Sequence, residues 1–273
     1  MAKGVLVLAN ETMGGEKLLD AIRERHAEGD AWFFIVVPLT RPRHGAVIYD
    51  EAVRSSAQVR VDLALAFMRE EGIEGRGEVG DTDPMNAALD AIAAERLEEI
   101  IVSTRPVESS GWIKQHVPEA LADETGLPVK HVIVDLDKDG LPFEVTLVVA
   151  NQTMAGDQLV ERLEALAAEG PHRFILVVPQ DSGDGRAVKA ARERMGKLLA
   201  SLREDHLVAA GMIGDPDPFT AVMNAHQFFL LSQIVISTLP ANRSAWMADD
   251  LTEKVAEATG KPVEHVTGEE VEA

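Results

Sequence analysis

A chain of 273 residues is long enough for one large domain or two small ones, and its 46 acidic against 26 basic side chains leave a formal charge of −20. That charge repels a phosphate backbone and an anionic membrane surface alike, so neither nucleic acid nor a membrane is an expected partner. The absence of cysteine removes disulfides, zinc thiolate sites and thiol nucleophiles together, and it suits a soluble acidic protein of the reducing cytoplasm.

The first apolar run, Val5 to Ala9, predicts a strand and is too short for the core of a signal peptide. No stretch approaches the roughly 20 apolar residues that span a bilayer. After Asn10-Glu-Thr-Met13, the spacing of Leu18, Leu19 and Ile22 predicts a helix with one apolar face. Phe33 to Val37 is a second strand, closed by Pro38, and Val59, Leu63, Ala66 and Phe67 mark a second helix. A third strand is faint in Glu74 to Val79. It leads to Gly80-Asp-Thr-Asp-Pro84, where Asp83 can cap a helix that starts at Pro84 and continues through Ala88, Leu89 and Ile92. Glu99 to Ser103 and Val129 to Val134 complete five strands, the last one preceded by Thr125-Gly-Leu-Pro128, a helix stop and strand start. The polar stretch Asp135 to Pro142 reads as a linker.

The pattern then starts again. Val7 to Gly15 recurs as Val148 to Gly156, and Phe34 to Pro38 as Ile175 to Pro179, a displacement of 141 positions as from Asn10 to Asn151. From Gly80 onward the displacement is 134, as from Gly80 to Gly214, so the second copy is shorter between Pro179 and Gly214. A change of length belongs in a surface loop. The expected architecture is α/β, with tandem doubly wound domains over residues 1–137 and 143–273. Each carries a five-stranded parallel sheet with right-handed crossovers and helices on both faces.

Open sheets of this kind bind ligands beyond the carboxyl ends of their strands, where the strand order reverses. The candidate ligand-binding residues are those that recur there: Asn10 and Asn151 after the first strand, Pro38 and Pro179 after the second, Asp81 and Asp215 after the third. After the fourth come Ser103, Thr104, Ser110 and Trp112, matched by Ser237, Thr238, Ser244 and Trp246. Hydroxyls beside a helix N-terminus can hold an anion or cap the helix, and the tryptophans can line a cleft or pack the loop onto the sheet. Asn10 can contact a ligand or close a turn. His131 and His265 recur on the last strands as surface positions, and the eight histidines show no metal-ligand spacing.

These residues resemble the universal stress protein family over nearly the whole chain, twice. The resemblance rests on the βα order, on Gly214-Asp-Pro-Asp-Pro218, on the strand end Ile101-Val-Ser103, and on the closing strands at Pro128-Val129 and Pro262-Val263. It implies the sheet order 3-2-1-4-5, so that Asn10 and Ser103 meet at the switch point. It also implies pairing of the halves as a pseudo-dimer through Val129 to Val134 and Val263 to Val266, with a homodimer as a further option. ATP-binding members carry glycines in the loop after strand four, where this chain has Ser103 and Pro106, and Ser237 and Pro240. Proline offers no amide to a phosphate. The resemblance thus implies a non-enzymatic stress-response or regulatory protein that binds a small anionic ligand or a protein partner, with no cofactor to assign. The alternatives are a nucleotide-binding enzyme of a related α/β class, such as an adenylating enzyme, and an interaction module with filled clefts.

Overall fold

Strand and helix alternate in each half as the apolar runs predict, in a computed structural model that describes residues 2–40, 50–107, 110–150, 157–180, 185–238 and 250–267. The first half contributes β1 (Lys3–Leu8), β2 (Ala31–Pro38), β3 (Gly75–Gly80), β4 (Glu99–Thr104) and β5 (Val129–Ile133). The second contributes β6 (Glu144–Val149), β7 (His172–Pro179), β8 (Ala209–Gly214), β9 (Gln233–Thr238) and β10 (Val263–Thr267). All pairings are parallel, and the orders are β3-β2-β1-β4-β5 and β8-β7-β6-β9-β10. Two compact units result, Met1–Arg41 with Arg60–Pro142 and Pro42–Val59 with Phe143–Ala273.

In the first unit the helices are α1 (Glu16–Ala27), α2 (Asp50–Glu70, from Arg60 in this unit), α3 (Pro84–Ala94), α4 (Gly111–Lys114), α5 (Val117–Thr125) and α6 (Leu136–Asp139). Side chains alternate across a strand. Leu6, Leu8, Phe34, Val36, Ile100 and Val102 therefore share a face, where they pack with Ala87, Ala88 and Ala91 of α3 and Val117 and Leu121 of α5. The alternate set, Val5, Val7, Phe33, Ile35 and Val37, is fully buried on the opposite face. Gly77 belongs to that side because a methyl there would lie 3.1 Å from Val61 of α2. The central strands are covered on both sides, which is why they read as continuous apolar runs. β3 alternates partly buried and exposed residues along GRGEVG, and this edge position explains its faint signal.

The second unit carries α7 (Asp157–Ala168), α8 (Gly185–Glu204), α9 (Pro218–Phe228) and α10 (Leu251–Thr259) among its described residues. Leu159, Leu163 and Leu166 of α7 and Ala191, Leu198 and Leu202 of α8 pack on Val148, Phe174, Leu176, Val178 and Val235. The repeat extends to fine detail. Asp83 accepts from the amides of Met85 and Asn86 at 2.8 and 3.2 Å, and Asp217 accepts from that of Thr220 at 2.8 Å, so both cap the helix that a proline opens. A methyl on Gly80 would stand 2.6 Å from Ala87 Cβ, and one on Gly214 would stand 2.7 Å from Ala221 Cβ; the bare backbone there lets the helix approach the strand end. His116 and Asp250, ahead of α5 and α10, share a left-handed backbone with φ of 54° and 50°. That conformation costs a non-glycine residue about 1 kcal/mol or more, so its recurrence means that the surrounding packing imposes it.

Sequence periodicity does not show two short helices. α4 is one turn, capped by Ser110. α6 lies within the stretch read as a linker, where the Asp135 carboxylate accepts from the Lys138 amide at 3.3 Å.

Candidate functional site

In the first unit β1 lies between β2 and β4. The chain leaves β1 for α1 on one face and leaves β4 for α4 and α5 on the other, so the two loops diverge and open the switch point at the carboxyl ends. Asn10 stands at this opening, 7% exposed. Its Nδ2 donates to the Pro38 carbonyl at 2.9 Å and to Thr40 Oγ1 at 2.5 Å. A carbonyl can only accept, which fixes the amide orientation and leaves Oδ1 as the free end. That Oδ1 is buried without a protein partner. Across the strand pair, Ser103 is 1% exposed and its Oγ is likewise buried and unpartnered. Thr12 joins the two loops, donating from Oγ1 to the Ser103 carbonyl at 3.3 Å.

Arg105, two residues on, supplies the third orphan. Its Nη1 donates to Glu11 at 3.0 Å and its Nη2 to Asp137, while its Nε is buried without a protein partner. Burial works against its charge, and Glu11 and Asp137 more than offset it, so its pKa is raised. Glu11 also faces Arg60 of α2. Burial pulls that guanidinium down to about 10, with Glu11 acting in the opposite sense, so it stays cationic at neutral pH. The loops after β1 and β4 therefore hold a buried spare acceptor (Asn10 Oδ1), a buried hydroxyl of either sense (Ser103) and a buried charged N–H donor (Arg105).

The remaining candidates have local partners. Thr104 Oγ1 and His131 Nε2 are 2.8 Å apart, and Thr238 and His265 repeat the pair at 2.8 Å; the histidines read as surface positions thus tie the last strand to its neighbour. Burial lowers the pKa of both rings, with Glu119 opposing this at His131. Asp81 accepts from the Asp83 amide at 2.8 Å and Asp215 from that of Asp217 at 2.9 Å, each closing the turn ahead of the helix. Ser110 accepts from the Ile113 amide at 3.3 Å. Trp112 packs against the core cluster of the α3 and α5 face. In the second unit Pro179 ends β7, paired with Gly214, and Ser237 is buried at 1% exposure. Asn151, Ser244 and Trp246 lie outside the described residues.

Glu11, Thr12, Lys17, Arg60, Asp137 and Asp139 were not singled out from the sequence as site residues. Arg60 had a signal: an arginine recurs at the same displacement as Arg194, on the helix ahead of the third strand of each copy. Thr12 recurs as Thr153.

No family model matches the sequence, and no curated protein does. Among solved structures the chain is similar to a universal stress protein from Archaeoglobus fulgidus DSM 4304, with 13% identity, 97% of this chain and 96% of that one covered, and a TM-score of 0.37. It is also similar to the cytoplasmic domain of a prokaryotic cation chloride cotransporter, with 10% identity, 98% and 95% coverage and a TM-score of 0.32. The α/β assignment rests on strand order and pairing in the chain itself. Among the described residues no helix is long and apolar enough to cross a membrane.

Proposed function

We propose that the chain is a tandem protein of the universal stress protein type, acting in the cytoplasm as a stress-response or regulatory binding protein. Its first unit holds a small anionic ligand at the opening between β1 and β4. The observation that carries this reading is the trio of buried orphans, Asn10 Oδ1, Ser103 Oγ and Arg105 Nε, on two loops joined by Thr12. Buried polar groups are nearly always satisfied, and each orphan costs about 1–3 kcal/mol. A ligand bearing an anionic oxygen for Arg105 and a hydroxyl or amine for Asn10 satisfies all three.

The reading is one of binding without turnover. Thr104 and His131 have the contact distance of a nucleophile and base, but Thr104 is 2% exposed and its hydroxyl is committed to holding β5 against β4. Glu11 is committed to Arg105. Native mass spectrometry of freshly purified full chain tests the proposal. A non-covalent small molecule is expected on the wild type and is expected to be lost from Ser103→Ala. A bare wild type that also takes up no added inorganic phosphate, or a bound molecule that is chemically changed on incubation, would overturn it.

A further inference from the structure

Charged side chains after β1 and β4 and at the start of α1 are paired with the turn that follows β5. Lys17 Nζ, in the first turn of α1, donates to Asp139 Oδ2 at 2.8 Å, and Arg105 donates to Asp137 and to Glu11. Both aspartates belong to α6, so a single helical turn after β5 neutralises one cation from the start of α1 and one from the loop after β4. The Lys17 pKa is raised, first by its hydrogen bond to Asp139, and that of Asp139 is lowered by the same contact. The second copy supplies an independent observation. Counting at the two displacements of the repeat, Glu11 becomes Gln152, Lys17 becomes Gln158, Arg105 becomes Leu239, Asp137 becomes Val271 and Asp139 becomes Ala273. At these positions none of the five charges recurs, although Arg243, Glu269, Glu270 and Glu272 stand nearby in the sequence, while Ser103, Thr104 and His131 recur as Ser237, Thr238 and His265.

We propose that Lys17 and Arg105 are the anion-recognition pair of the first unit, and that the Asp137 and Asp139 carboxylates occupy it as an intrachain competitor. The inference rests on the proposed ligand site and names its ligand class: a small dianion, a phosphate group or a dicarboxylate, whose oxygens replace the two carboxylates. Arg105 serves both readings, since its Nε faces no protein partner while Nη2 holds α6. The α6 contacts are solvent-accessible, with Lys17 and Asp137 side chains 59% and 77% exposed. Ion pairs of this kind are weak enough for a ligand to break. With both carboxylates neutralised, Arg60 and Arg105 retain Glu11 as their acidic neighbour, and Lys17 retains Asp135.

Calorimetric titration of the full chain with inorganic phosphate, at constant ionic strength, tests this. Asp137→Asn/Asp139→Asn is expected to bind phosphate about tenfold more tightly than wild type. Lys17→Gln/Arg105→Leu, which installs the residues of the second copy, is expected to abolish binding with and without the aspartate changes. Equal affinity in wild type and the aspartate variant overturns the competitor, and binding that survives Lys17→Gln/Arg105→Leu overturns the recognition pair. Ser103→Ala separates the two readings. Binding weakened by Ser103→Ala but indifferent to the aspartates keeps the ligand site and sinks the competitor, whereas binding that responds to the aspartates but not to Ser103 sinks the orphan-lined site. No binding by any form overturns both.

Discussion

Under the proposed function, Ser103 is a binding residue held against stability. Its hydroxyl has no protein partner at 1% exposure, and removing such a group relieves a desolvation penalty with almost no change of shape. Ser103→Ala is therefore expected to raise the ligand-free unfolding free energy by about 1 kcal/mol while weakening ligand binding, as measured by urea denaturation and titration on the same preparation. A loss of stability would mean that Ser103 has a structural partner. Ser103 and Asn10 stood out as candidates because each is a polar residue at the end of an apolar strand. Glu11 and Lys17 did not, because a charged residue in a helix or loop reads as solvated, and the signal at Arg60 was only its recurrence as Arg194. The pairings of Glu11 with Arg105 and of Lys17 with Asp139 span 94 and 122 positions, a separation that no local pattern encodes.

At the scale of elements, strands buried on both faces announce themselves, and edges and single turns do not. β1, β2 and β4 were legible from their apolar runs. β3 was faint because Arg76 and Glu78 face solvent along this edge strand, and α4 and α6 are too short for a helical period. Four histidines, the exposed His131, the buried His172 and the partly buried His226 and His265, have pKa values lowered first by burial, which favours their neutral state. The clearest case is His172. Gln233 Nε2 donates to Thr146 Oγ1 at 3.0 Å, so the Thr146 proton is free to reach His172 Nε2 at 2.6 Å, and the ring stacks on Phe174 with centroids 4.8 Å apart. A protonated imidazole cannot accept that bond. The unfolded chain takes up these protons near pH 6.5, and the folded chain takes them up only at lower pH. Stability is thus complete above about pH 6.5 and declines as the pH falls below it. Urea unfolding between pH 7 and pH 5 is expected to show this decline, with a shallower slope in His172→Gln. A flat profile, or stability that rises on acidification, contradicts the assignment.

For the whole molecule, duplication without equivalence is the organising fact. Strand order, helix caps and the left-handed residues ahead of α5 and α10 recur, but the charged set at the first opening does not. The repeat made the fold legible, because two independent readings of one pattern agree. The same repeat drew attention away from the charged set, since residues present in one copy only fall outside it. Net charge also acts at this scale. At −20 the chain repels a triphosphate over a screening length of about 8 Å at physiological salt, and Pro106 removes one backbone amide from the loop after β4. Calorimetry with ATP and magnesium is expected to show no micromolar binding. A micromolar dissociation constant that depends on Ser103 would show that the glycines were dispensable.

The central claim, that the first unit carries a built anion site at the β1 and β4 ends, is tested most directly by amide chemical-shift mapping of the full chain during titration with inorganic phosphate. Saturable shifts are predicted at Asn10, Thr12, Ser103, Thr104 and Arg105, with Lys17 and the α6 amides moving in step. Shifts confined to other surfaces, or none at these residues, would contradict it.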